Sequence, residues 1–192
     1  MNVKFTVKLF ILVFFLISCQ TYQIAYDRFS QVLDSQYDIG VNYSRDGVFR
    51  SVISIKYNKL KNKREYFILV KVEARNSNQI KLEKIITDTR FESKGELVSG
   101  DSKRVIYYDD FYDSYFPYDH TTVITEKNIK VEIYKFSISE SEFIRFVALG
   151  NDDIAAFKIY AFRNDVIVSF SKIPFKKFLD DFNLKVKALG GS

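Results

Sequence analysis

VFRSVISIKYNKLKNKREYFILVKVEAR, residues 48–75, is the stretch whose reading decides the fold. Over residues 48–57, Phe49, Ser51, Ile53, Ile55 and Tyr57 fall on one side. Val48, Arg50, Val52, Ser54 and Lys56 fall on the other, which is the two-residue period of a half-buried strand. Residues 65–75 repeat the pattern, with Tyr66, Ile68, Val70 and Val72 on one side. Asp46-Gly47 is a turn signal ahead of the first strand, and the polar run 58–64 joins it to the second. Together they read as an antiparallel hairpin with a basic tip of Lys59, Lys61, Lys63 and Arg64. Such a tip usually serves as a solvated loop that keeps a sheet edge soluble. Contact with anionic lipid headgroups, at about 1 kcal/mol per basic residue, is the less common use.

Upstream, Tyr22, Tyr26, Phe29, Leu33 and Tyr37 recur at helical spacing, and the pattern predicts a helix over residues 21–37. Downstream, residues 80–91 begin as a strand and change phase at Ile85-Ile86, which predicts a bulge or bend. Residues 99–102 read as a turn before a short strand over 104–108. Residues 121–125 and 129–136 flank Glu126-Lys127-Asn128 and read as another hairpin. Ser139 and Glu142 match a capping box opening a helix with Phe143, Phe146 and Val147, ended by Gly150. Residues 154–163 and 166–171 flank the tight-turn dipeptide Asn164-Asp165, the first of them apolar on both faces like a central strand. Pro174 suits the first turn of a last helix carrying Phe175, Phe178, Leu179, Phe182, Val186 and Leu189. The expected class is α+β: a mainly antiparallel sheet with an N-terminal, a mid-chain and a C-terminal helix packed on it. No repeat or long linker divides the chain.

The first nineteen residues, MNVKFTVKLFILVFFLISC, hold Lys4 and Lys8, an uncharged apolar run from Leu9 to Ile17, then Ser18 and Cys19. A bilayer-spanning helix needs about twenty apolar residues, and this run is far shorter. A charged start, a short apolar middle and a small residue read as a signal peptide over residues 1–18. Leu16-Ile17-Ser18-Cys19 resembles the lipobox of bacterial lipoprotein precursors. The resemblance implies cleavage before Cys19, a diacylglyceryl thioether on its sulfur and an acyl chain on its amine; no other cofactor is expected. It further implies a protein similar to spirochaete-type envelope lipoproteins, with residues 19–192 as one anchored globular domain. The predicted first helix begins two residues after Cys19, so the domain is expected close to its bilayer. That favours the outer membrane and its periplasmic face over the cell surface.

The mature chain of 174 residues carries 27 basic and 24 acidic side chains, a net +3, too little to argue for nucleic acid. Cys19 is the only cysteine, so no intrachain disulfide can form. A single His excludes a histidine-rich metal site. With 19 Phe, 13 Tyr and no Trp, stability must come from aromatic packing.

Residues 107–120, YYDDFYDSYFPYDH, are the candidate ligand segment. Tyr108, Tyr112, Tyr115 and Tyr118 offer rings for stacking. Asp109, Asp110 and Asp113 offer carboxylates, a combination suited to sugars or peptides. The commoner use of such a segment is an aromatic loop folded on a sheet edge. The three aspartates lack calcium-loop spacing, so no metal is expected. No nucleophile elbow, glycine-rich phosphate loop or zinc-protease motif is present. Carboxylate pairs occur at Asp109-Asp110, Asp152-Asp153 and Asp180-Asp181, leaving an Asp-dependent hydrolase as a minor alternative. The leading expectation is a non-enzymatic binding or scaffolding lipoprotein with an envelope protein as partner. Second comes a sugar- or peptide-binding lipoprotein using residues 107–120.

Overall fold

The computed structural model describes residues 22–44, 47–74, 81–112, 120–148, 153–161 and 165–191; for 103–112 and 120–128 it describes the backbone. Strands β1 (Tyr22–Asp27), β2 (Val32–Tyr43), β3 (Gly47–Asn58), β4 (Lys63–Ala74), β8 (His120–Ile138) and β7 (Glu96–Tyr112) form one sheet in that spatial order. A second sheet runs β10 (Val166–Ser171), β9 (Ile154–Ala161), β5 (Leu82–Thr87), β6 (Glu92–Lys94). Pairing is antiparallel throughout. Two helices, α1 (Glu140–Ala148) and α2 (Lys172–Ala188), complete the described elements.

The β3–β4 hairpin forms as its two-residue period predicts, with Asn58 opposite Lys63 and Gly47 opposite Ala74. Its inward residues Phe49, Ile53, Ile55, Tyr57, Tyr66, Ile68, Val70 and Val72 are buried. Across from them, α1 inserts Phe143 and Phe146, and α2 inserts Phe175, Phe178, Phe182 and Val186. Phe175 touches the rings of Tyr37 (5.0 Å), Phe170 (5.3 Å), Phe178 (5.4 Å) and Phe143 (6.1 Å), tying both helices and both sheets together. Edge-on aromatic pairs of this kind add about 0.5–1.5 kcal/mol each beyond their buried area.

The expected N-terminal helix is not there: residues 22–37 are strand, turn and strand. Tyr22, Ile24 and Tyr26 alternate half-buried with exposed Gln23, Ala25 and Asp27. Asp27 then accepts hydrogen bonds from the Phe29 amide (2.9 Å) and the Ser30 hydroxyl (2.6 Å), and Gln31 turns through φ 53°. The helical stripe required Phe29 in the core; it is 100% exposed at the turn. The class is therefore mostly antiparallel β in two sheets with a mid-chain and a C-terminal helix.

Two further expectations fail. Residues 99–102 make no turn but lie within β7, at a register irregularity between Leu97 and Ser99. Residues 126–128 do not break a hairpin; β8 runs through them, with Val105 opposite Lys127 and Arg104 opposite Asn128. The bulge expected at Ile85-Ile86 lies earlier in β5, as a register shift between Leu82 and Lys84, while Ile85 and Ile86 pair in step with Ile159 and Lys158. Elsewhere the sequence is followed. Ser139 accepts from the Glu142 amide (3.3 Å) at the start of α1, and β9 lies between β10 and β5. The last helix carries Pro174 in its first turn, ends at Ala188 and is followed by Gly190 at φ 84°. The tight turn at Asn164 lies outside the described residues.

Candidate functional site

β4 pairs with β8 only from Tyr66↔Ile138 to Glu73↔Val131. Beyond that point the described backbone of β8 pairs with β7 alone, down to Tyr112↔His120. Ile129 is still buried, and beyond it residues 103–112 and 120–128 form a two-stranded arm that pairs with no other strand among the described residues. At about 3.3 Å per residue it is roughly 30 Å long. Four of the seven candidate ligand residues lie on its backbone: Tyr108 opposite Ile124, Asp109 opposite Val123, Asp110 opposite Thr122 and Tyr112 opposite His120. They belong to a strand rather than a loop. Asp113, Tyr115, Tyr118 and Cys19 lie outside the described residues. Asp109 and Asp110, as successive strand positions, belong to opposite faces of the ladder and make no facing pair. Neither ladder row is uniformly apolar: Ile106 is level with Glu126, and Val105 with Lys127. A strand crossing a bilayer needs a continuous apolar row, which this arm lacks.

The root of the arm is held by a buried polar group that the sequence reading missed. Glu132 is 5% exposed, and its carboxylate accepts from the Tyr134 hydroxyl (2.9 Å) and pairs with the Lys130 ammonium (2.6 Å). Burial, followed by the hydrogen bond to Glu132, pushes the Tyr134 phenol up to about 12. On its own face Glu132 follows Lys130 and precedes Tyr134, Phe136 and Ile138, while Ile129, Val131 and Ile133 make the other face as apolar. Only a charge at an inward position could have marked it, and the sequence does not say which face is inward.

At the opposite end of the strands lies an open cleft of about 680 Å³, lined by Lys63, Arg64, Tyr66, Phe67, Lys135 and Glu140 among others. Tyr66 stacks on Phe143 with ring centroids 4.5 Å apart and donates to Glu140 (2.8 Å). Burial first, and then that bond, pushes its phenol up to about 12. Arg64 donates to Asn183 (3.0 Å) from above the Phe182 ring. Of the remaining paired acids, Asp181 accepts from the Tyr22 hydroxyl, which raises the phenol's pKa. These contacts tie α2 and α1 to the sheet, and both signs of charge line the cleft.

A pH prediction follows from the two phenols. Each has a folded pKa near 12 against an ordinary value of 10, so its neutral form is favoured by folding. That stability is fully present below pH 10 and is lost as pH rises through about 12. The melting temperature should fall steeply across this window, with tyrosinate absorbance rising late. In Tyr66→Phe with Tyr134→Phe the fall should be distinctly shallower; an unchanged pH profile would place the sensitivity elsewhere.

Among the described residues no helix is long and apolar enough to cross a membrane. No family model matches the chain and no solved structure resembles it. One curated protein does: over all 192 residues of both chains the sequence is 88% identical to an uncharacterized lipoprotein of Borreliella burgdorferi. That identity over full length extends to the whole chain the lipoprotein resemblance first seen in four residues around Cys19. The chain belongs to the same family as this spirochaete lipoprotein.

Proposed function

We propose that the protein is a lipid-anchored envelope component that acts by binding another envelope protein, not by catalysis, with the β7–β8 arm as the contact. One observation carries the reading: among the described residues, the backbone of this long ribbon pairs only within itself. An isolated two-stranded ribbon is marginal in water and gains from a second surface. Among the described strands β7 is also the last of its sheet, and an open edge of this kind takes up an extended segment of a partner by strand addition. The aromatic and acidic residues at Tyr108, Asp109, Asp110 and Tyr112 would then give specificity to backbone pairing.

The anchor is Cys19, carrying diacylglycerol and an acyl chain. Three peptide units separate it from Tyr22, so their Cα atoms lie within about 11 Å of each other. So short a link supports attachment close against the outer membrane, facing the periplasm.

Replacing residues 104–128 by an Asn-Gly turn closes the hairpin at Lys103↔Ile129 and leaves the core intact. A photo-crosslinking amino acid at position 107 in intact cells should give a discrete protein adduct. In the shortened variant, with the crosslinker at position 103, the adduct should disappear while the melting temperature and membrane attachment stay. An adduct of the same size from the shortened protein would reject the arm as the contact.

A further inference from the structure

The β1–β2 and β3–β4 turns lie side by side. The Lys59 amide donates to the Gln31 carbonyl at 3.0 Å, joining residues that are far apart in sequence. Each turn is also fixed internally. Asp27 receives the Ser30 hydroxyl and then the Phe29 amide, which hold its carboxyl below its ordinary pKa. In the other turn, Asn58 receives the Lys61 amide (3.0 Å) and Asn62 receives the Tyr57 hydroxyl (3.0 Å). These ordered turns present Phe29, 100% exposed, and Leu60, 74% exposed. Exposed Arg28, Lys59, Lys61 and Lys63 flank them in the two turns and at the start of β4, against Asp27 and Glu65, the latter 3.7 Å from Lys63, so the tip is cationic although the mature chain is nearly neutral.

Single exposed apolar residues are ordinary on protein surfaces. Two at the tips of adjoining, internally braced turns, with cations next to them in sequence, are the arrangement that enters a lipid headgroup layer: apolar tips bury and basic residues meet phosphate. The chain's path agrees. β1 is the outermost strand of its sheet, and its five steps from Tyr22 to Asp27 span about 17 Å. Cys19, within about 11 Å of Tyr22, and the tip can therefore rest on one plane along that edge. β7 lies at the opposite edge, five strand spacings or about 24 Å away.

We propose that residues 28–31 and 59–62 form a second membrane contact, seating Phe29 and Leu60 among anionic headgroups. This contact sets the tilt of the anchored domain and holds the β7–β8 arm away from the bilayer. The anchored reading decides which membrane is near; the contact itself is testable without it.

The chain has no tryptophan, so Phe29→Trp is a single reporter. It is placed in the full mature chain with Cys19→Ala, which removes the lipid. Vesicles of phosphatidylglycerol and phosphatidylcholine in equal parts should shift its emission to the blue, and pure phosphatidylcholine vesicles should not. Added salt should reverse the shift. Lys59→Ala with Lys61→Ala should weaken partitioning roughly 30-fold at unchanged melting temperature. Leu60→Trp should report the same shift independently. Emission unmoved by anionic vesicles at low salt, or moved equally by neutral ones, overturns the proposal. So does a photo-crosslinker at position 29 that captures a protein instead of lipid in intact cells. The lipid anchor is judged separately, by where the Cys19→Ala protein sediments in cell fractions.

Discussion

Replacing Cys19 by alanine should move the protein from the membrane pellet to the soluble fraction, if the proposed lipid is what holds it there. Each buried methylene contributes about 0.8 kcal/mol, and one acyl chain holds only marginally, whereas two or more hold firmly. Removing the thiol would remove the proposed diacylglyceryl group altogether, so the expected change is from almost fully bound to almost fully released. The tip of residues 28–31 and 59–62 does not rescue attachment in cells. Its few cations give a reversible, salt-sensitive contact, weaker than two acyl chains by many orders of magnitude. Labelled palmitate should be incorporated by the natural chain and not by Cys19→Ala. Firm sedimentation of the unlabelled variant would transfer the anchoring role to the folded domain.

What the sequence could and could not say about this molecule follows from the range of the interactions involved. The β3–β4 hairpin and the α2 helix were legible because an uninterrupted local period carries the buried face. Phe49 to Tyr57 keeps period two, and Phe175 to Val186 keeps 3.6. The first hairpin was not, because Phe29 happens to complete a helical spacing while standing in solvent. Locally, nothing distinguishes a core phenylalanine from an exposed one. The continuity of β8 through Glu126, Lys127 and Asn128 was hidden for the converse reason. Polar residues normally signal a turn, but a free ribbon tolerates them in mid-strand. The candidate segment at Tyr108 to Tyr112 was found by composition, yet its placement on a ribbon depends on register with residues 120–124. The tip was half legible: its cations lie in one run, but Phe29 joins Leu60 only through pairing between β2 and β3.

Two phenylalanine-to-alanine substitutions separate the hairpin from the helix by measurement. Phe175 is 1% exposed and touches aromatic rings from β2, β10, α1 and its own helix. Truncation leaves a cavity that four rigid neighbours cannot all fill, and a loss of about 3–5 kcal/mol is expected. In a chain of this size each kcal/mol lowers the melting temperature by roughly 2–4 °C, so Phe175→Ala should melt about 10–15 °C lower. Phe29→Ala removes a side chain that touches water on every side, and should change stability by less than about 0.5 kcal/mol. On an amphipathic helix Phe29 would lie on the same buried stripe as Leu33 and Tyr37, and its loss would cost nearly as much as that of Phe175. Thermal unfolding of the two variants side by side therefore decides the point. Comparable losses would restore the helix and dismantle the tip, whereas a large loss for Phe175 alone fixes Phe29 as a residue kept for something outside the core.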